Sequence, residues 1–199
     1  MCIRDRTSAV DICNSALNLV GANNITSLTE DSKAARVCNQ RYEFVRDNTF
    51  RSHPWNCLVT RKLLAQDATA PTYKYAYRYT LPTDPYCLRV LSVSDDGDTE
   101  RLDTDYQVEA NRYLLTDEGT LYIRYIGRLT DPTQWDIGLV ETIAARLASD
   151  IAYPLIGSSS FARDMFTLYE EKLKEARFID ATEGYPDAII ADTYTAARF

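Results

Sequence analysis

Apolar positions along the first fifty residues repeat at helical spacing. Ala9, Ile12, Cys13, Ala16, Leu17 and Val20 keep the i, i+3, i+4, i+7 rhythm of one buried face. This predicts a helix over 8–20, capped by Thr7 or Ser8 and stopped by Gly21. A loop over 22–31 follows, with Ile25 and Leu28 as anchors. A second helix starts near Ser32, with Asp31 or Ser32 as its cap. Its inward face is read as Ala34, Val37, Cys38, Tyr42 and Val45, with Arg36, Arg41, Glu43, Arg46 and Asp47 along the rest. It ends before Pro54, because the residue preceding proline avoids helical backbone. Trp55 is expected to plug the core directly after it.

The rhythm then changes from helical to period two. Residues 57–64 fit a strand or a short helix, and strand is favoured. Tyr73, Tyr75, Tyr77 and Tyr79 alternate with Lys74, Ala76 and Arg78, which predicts a strand over 72–80 closed by Pro82 and Pro85. Leu88, Val90, Leu91 and Val93 place a second strand over 87–94, before the turn Asp95-Asp96-Gly97-Asp98. Short strands are expected over 106–109, 113–116 and 121–126, with hairpin turns at Asn111 and at Asp117-Glu118-Gly119. One small antiparallel sheet or barrel is the expected result.

Helical spacing then returns. Asp131-Pro132-Thr133 is read as the start of a third helix with the stripe Leu139, Val140, Ile143, Ala144, Leu147, Ala148, Ile151 and Leu155. Pro154 is expected to kink its last turn and Gly157 to end it. Ser158-Ser159-Ser160 caps a fourth helix running to about Thr182, facing inward through Phe161, Met165, Leu168, Tyr169, Leu173, Ala176 and Ile179. The short link makes these two helices antiparallel neighbours.

The predicted class is therefore α+β: an antiparallel helical bundle from 7–56 and 130–183, interrupted by a β-rich sub-domain over 57–129. Gly184-Tyr185-Pro186 breaks the last helix. The tail 184–199 still carries Tyr185, Ile189, Ile190, Tyr194 and Phe199. It is read either as a short extra helix on its own domain or as an arm that docks on a neighbour. Residues 1–6 fit no element and are set aside as a candidate expression or sequence-assembly scar.

Composition narrows the function classes. The 199-residue chain, 45% hydrophobic, has enough apolar matter for a real core. It carries no run of membrane-spanning length and no N-terminal apolar stretch of signal-peptide length, so neither a membrane location nor export by that route is expected. The net charge of −7 disfavours wrapping DNA through phosphate neutralisation, although an acidic wall would let a duplex slide past without sticking. Five scattered cysteines, Cys2, Cys13, Cys38, Cys57 and Cys87, read as reduced structural thiols in a reducing compartment.

Candidate chemistry is sparse. His53 is the only histidine, so a zinc site of the His/Cys type is poorly supplied. A Ser-His-Asp arrangement would need Ser52 beside it in sequence, which does not normally present that geometry. His53 and Pro54 are read as the end of helix two. Asp95, Asp96 and Asp98 lack the later bidentate Glu of a calcium loop. Glu170-Glu171 is most simply a helix surface, and Gly157-Ser158-Ser159-Ser160 lacks the pattern of a phosphate loop. The tyrosine series reads as sheet packing or a protein interface ahead of stacking on bases or sugars. No catalytic residue, cofactor or metal is assigned.

Several words in the chain are nonetheless distinctive in order and spacing. They are Arg51-Ser52-His53-Pro54-Trp55-Asn56, Tyr75-Ala76-Tyr77-Arg78-Tyr79-Thr80-Leu81-Pro82, Cys87-Leu88-Arg89-Val90-Leu91, Leu115-Thr116-Asp117-Glu118, Leu121-Tyr122-Ile123-Arg124-Tyr125-Ile126 and Ala144-Ala145-Arg146-Leu147-Ala148. Together, over about 7–182, they resemble the tail tubular protein A family of short-tailed bacteriophages, the head-to-tail adaptor or gatekeeper. Asp84-Pro85-Tyr86 lengthens one turn, and Cys57 replaces an expected aromatic. The resemblance implies a homo-oligomeric, dodecameric ring below the portal. The helical part would meet the portal protein and neighbouring subunits, and the strand-rich part the tail nozzle, with tail fibres near that junction. Genomic DNA would pass through without specific binding. The location implied is the neck of the virion, after assembly in the host cytoplasm. Two other readings stand beside it: a phage tail glycan hydrolase using some pair among 29 acidic residues, and a carbohydrate or nucleic-acid binding module using the tyrosine-rich face.

Overall fold

The computed structural model describes residues 8–97 and 105–183. The first helix, α1 (Ala9–Val20), opens with a capping box: Asp11 N donates to Ser8 Oγ at 3.1 Å and Ser8 N to Asp11 Oδ2 at 2.9 Å. Gly21, at φ 72°, closes it in the left-handed region that glycine enters without strain. The Asn14 side chain then clamps the following loop, accepting from Ile25 N at 2.8 Å and donating to Ile25 O at 3.0 Å. That clamp holds Ile25 in the core as the expected anchor, with Leu28 packed against it.

Helix α2 (Lys33–Ser52) is capped by Ser32, and its buried face runs through Ala35, Cys38, Tyr42, Val45, Thr49 and Phe50. Ala34 and Val37 are only partly buried, so the face is rotated from the one read in the sequence. Arg46 is a second correction, because it is buried. Its Nε donates to Asp47 at 2.9 Å and its guanidinium lies 5.9 Å from the Tyr42 ring centroid. Asp47 also takes Arg128 from the sheet at 2.6 Å. Asp47→Ala is expected to cost about 1–3 kcal/mol in chemical denaturation, because the buried Arg46 loses its nearer carboxylate and keeps only Glu43 at 4.0 Å.

After His53 the chain makes a 3-10 turn over Asn56–Leu58 and enters six strands. These are β1 (Val59–Leu64), β2 (Tyr77–Thr80), β3 (Tyr86–Ser94), β4 (Tyr106–Glu109), β5 (Tyr113–Thr116) and β6 (Leu121–Arg128). They form two antiparallel three-stranded sheets, ordered β1-β6-β3 and β2-β5-β4, where the sequence reading expected one sheet or barrel. Ala110 and Asn111, both at positive φ, make the tight β4–β5 turn. Asp117-Glu118-Gly119 does not make a hairpin: β5 and β6 belong to different sheets, so this connection crosses between them.

The β1-β6-β3 sheet is a wall shared by two cores. Leu121, Ile123 and Tyr125 alternate onto one face, where they meet Leu64, Tyr79, Leu81 and Leu114. Ile126, on the other face of the same strand, joins Leu88 in the core of the helices. The strand-rich insertion is thus joined to the bundle through a two-faced strand.

A 3-10 turn over Pro132–Gln134 precedes helix α3 (Ile137–Ile156), so that helix begins later than the Asp131-Pro132-Thr133 cue suggested. Asp131 caps only the short turn, while Asp136 caps α3 by accepting from Gly138 N at 2.7 Å. Between them Trp135 takes extended backbone and turns its ring edge to Phe50 at 5.1 Å. Helix α3 is the central helix: Leu139, Ile143, Ala144, Ala145, Leu147, Ala148, Ile151 and Ala152 are all buried. It runs on to Ile156 despite Pro154. Helix α4 (Ser159–Thr182) lies outermost. Of its expected inward residues only Ala176 is fully buried, and Ile179 is exposed. A Cβ on Gly138 would stand 3.2 Å from that of Ala176, so α3 and α4 pack closely there.

Candidate contact surfaces and the joint between the two halves

The end of α2 is where the two halves meet. Trp55 is fully buried, its Nε1 donates to Thr49 O at 3.0 Å, and its ring meets His53 edge-on at 4.8 Å. Pro54 is exposed beside it. His53 Nε2 lies 3.0 Å from Oδ2 of Asp180 in the last turn of α4. Asn56 N donates to Asp180 Oδ1 at 2.9 Å, and Asn56 Nδ2 to Asp180 O at 2.7 Å. Two arginines reach the carbonyls left free at the helix end: Arg177 donates to Ser52 O at 2.9 Å and Arg89 to Arg51 O at 3.2 Å.

This cluster is built to hold elements together. Ser52 Oγ donates to Thr49 O at 2.8 Å, not to His53, so no nucleophile–base pair is assembled there. Asp180 is the partner that sequence reasoning passed over. Its signal was available: it extends the α4 row Leu173, Ala176 as a lone acid on the apolar side.

The tyrosine series does not form the single face read from its alternation. Lys74, at φ 73°, breaks the run, and Asp117 Oδ1 takes the Ala76 N–H at 2.8 Å. Regular strand therefore begins only at Tyr77. Tyr73 is 83% exposed, while Tyr75 and Tyr79 are buried at 7% and 1%. The Tyr75 hydroxyl donates to Asp105 at 3.1 Å and the Tyr79 hydroxyl to Glu118 O at 2.7 Å. Their rings serve the core, leaving Tyr73 as the one ring of the four standing fully outside.

Cys13, Cys38, Cys57 and Cys87 are free thiols. The hydrogen bond to Cys38, together with burial, pushes the Cys13 thiol far above its ordinary value. Burial raises Cys87 to about 11 against the opposing charge of Arg51, and raises Tyr42 to about 12. Both groups are held neutral in the fold and ionise more readily when the chain unfolds. Their contribution is whole below the unfolded pKa and is lost as pH rises through the folded one. Stability is expected to fall by on the order of 1 kcal/mol per pH unit, through Cys87 between about pH 9 and 11 and through Tyr42 between about pH 10 and 12. Tyr42→Phe should flatten the upper part of that decline in a pH series of thermal melts.

Most of the large apolar side chains left exposed sit on helices. Ile137 and Ile179 flank a shallow groove floored by Gly138 and Ala176 at the α3–α4 close approach, and Phe178 is 72% exposed in the same turn as Ile179. Phe44 stands beside Arg41 and Arg146, and the Arg146 guanidinium lies 5.1 Å from the ring centroid of the exposed Phe166. Tyr153 and Ile156 add a further pair at the end of α3.

Among the described residues the other candidate positions serve turns, caps and helix surfaces. Glu170 and Glu171 are exposed on α4, and Ser158 Oγ accepts from Phe161 N at 3.3 Å as a helix cap. Ser94 Oγ donates to Asp96 at 2.8 Å and accepts from Gly97 N at 3.0 Å, as in a hydrogen-bonded turn; Asp98 lies outside the described residues. Among the described residues no group of three or more His, Cys, Asp or Glu could hold a metal ion, and no helix is long and apolar enough to cross a membrane. Tyr185, Ile189, Ile190, Tyr194 and Phe199 of the tail also lie outside the described residues. No family model matches the chain, and no curated protein matches it either.

Proposed function

We propose that this chain is a structural virion protein: a ring-forming head-to-tail adaptor that joins a portal to a tail nozzle around the DNA channel. Its work is contact, with no bond made or broken. The specific content comes from the motif series, half of whose residues are buried. Trp55, Tyr79, Leu121, Ile123, Tyr125, Ala144 and Ala148 are all buried, so the resemblance is one of fold-making positions.

The observation that carries the reading is the outward apolar surface of the helical half. Ile137, Phe178 and Ile179 occupy one helical region, and Phe44 and Phe166 stand by Arg146 in another. A ring subunit needs two different lateral surfaces, because its contacts are head-to-tail. Exposed apolar patches rimmed by charge are the usual material of such surfaces. The acidic balance suits a wall that DNA passes without sticking.

Ile137→Lys with Ile179→Lys tests the reading. Both side chains are exposed, so the unfolding free energy should stay within about 0.5 kcal/mol of the parent. Ring formation on the portal, followed by native mass spectrometry, should fall by about tenfold or more. Full assembly by the doubly charged variant would remove this surface from the account.

A further inference from the structure

A cleft of about 270 Å³ opens between two strand edges. Strand β3 is the edge of one sheet and β4 the edge of the other. Leu88, Arg89 and Val90 line the cleft from β3, Tyr106 and Val108 from β4, and Arg51 from the end of α2. None of its lining residues is a carboxylate. Arg51 and Arg89 make no ion pair with any described residue, and Arg89 is anchored only on the Arg51 carbonyl, 3.2 Å away. Two guanidinium groups thus share one cleft, without a counter-charge among the described residues, in a chain of net charge −7.

The two edges differ in what they offer. Strand β3 is interrupted by register shifts between Cys87 and Arg89 and between Val90 and Ser92, which spoil it as a template for regular pairing. Strand β4 pairs in unbroken register with β5, from Tyr106↔Thr116 to Glu109↔Tyr113, and among the described residues has no strand on its other side. An incoming strand would hydrogen-bond to β4 through its backbone. Its alternate side chains would then meet apolar walls and arginines.

We propose that this cleft docks an extended acidic segment of a partner protein, alternating carboxylate with apolar side chains, which adds as a strand to β4 and sets its carboxylates on Arg51 and Arg89. Paired arginines suit carboxylates because the guanidinium fork can grip both oxygens. The apolar walls argue for a polypeptide over a nucleic acid, since a phosphodiester backbone offers nothing to Leu88, Val90 or Val108. The inference concerns the single chain in solution and stands whether or not the chain assembles into a ring.

The test is fluorescence anisotropy with the full chain and short labelled peptides. One alternates Glu with Val, one alternates Lys with Val, and one has the Glu–Val composition in two blocks. The alternating Glu–Val peptide should bind about tenfold or more tighter than either control, and tighter at low salt. N-methylation of its alternate amides should abolish binding, because the strand ladder is lost. Arg51→Glu with Arg89→Glu should weaken binding by about tenfold or more, with circular dichroism showing the variant folded and its melt lowered by loss of the Arg89 bond to the Arg51 carbonyl. Arg51→Gln with Arg89→Gln, if the glutamate pair fails to fold, should show the same loss in smaller measure. Failure of the Glu–Val peptide to bind would overturn the proposal. So would equal binding of the Lys–Val peptide, or binding indifferent to both arginine pairs. Preferential capture of a labelled DNA duplex would overturn it in favour of a phosphate site.

Discussion

Trp55→Ala is expected to lower the unfolding free energy by about 3–5 kcal/mol. Trp55 is the largest of the fully buried side chains and sits where the last turn of α2 passes into β1. Its ring packs against His53 and its indole N–H ends on the Thr49 carbonyl. Truncation removes the apolar burial, leaves a cavity between helices and sheet, and strips the Thr49 carbonyl of a partner. Trp55→Phe separates these terms, because it keeps most of the volume and loses the N–H bond, for about 1–2 kcal/mol. Urea denaturation of the three proteins would measure both. An alanine variant within about 0.5 kcal/mol of the parent would contradict the placement of Trp55 as the plug of the joint.

Asp180→Ala is expected to cost about 2–4 kcal/mol. Asp180 is only 6% exposed, and its carboxylate receives the Asn56 amide and faces His53. Removing it leaves the part-buried Asn56 N–H without its acceptor and takes the partner from His53, so that only the Asn56 Nδ2 and Arg177 bonds to backbone carbonyls still tie α4 to the end of α2. Asp180→Asn retains an oxygen for the Asn56 amide and should lose roughly half as much. In a double-mutant cycle, His53→Ala and Asp180→Ala should be coupled by about 0.5–2 kcal/mol, since each removes the other's partner. Strict additivity would show that the 3.0 Å contact contributes nothing to the fold.

Much of the helical part was legible because its signals are local. Ser8, Gly21, Ser32, Gly157 and Ser158 are caps whose chemistry acts within one turn, and all five stand at helix ends. On α2, Cys38, Tyr42 and Val45 are buried as read, and the face shifts only at Ala34 and Val37, because Ala34 and Ala35 are identical neighbours that carry no phase. Asp131-Pro132 is a true start signal, but for a 3-10 turn, and only the burial of Trp135 explains why the helix waits for Asp136. The tyrosine alternation misled for a similar reason. Its period is that of a strand, yet the left-handed backbone at Lys74 and the reach of Asp117 to Ala76 depend on partners far along the chain. The division into two sheets likewise rests on which strands pair, and β1 finds β6 across more than fifty residues.

The candidate surfaces were less legible than the fold. Ile179 was read as core because its spacing on α4 fits the apolar row, but α4 is outermost and turns that residue to the surface. Ile137 gave no signal of its own, being the first residue of a helix whose start was misplaced. The facing edges of β3 and β4 arise from sheet order alone, which no single segment encodes.

The central claim is that this chain is a subunit that closes into a ring on a portal. Native mass spectrometry of the purified chain, alone and mixed with a candidate portal protein encoded beside it, tests that most directly, with negative-stain images of the same mixture. The account predicts a stacked complex holding a full ring of copies on the portal, whether or not the free chain is monomeric. A chain that stays monomeric and never joins the portal would contradict it.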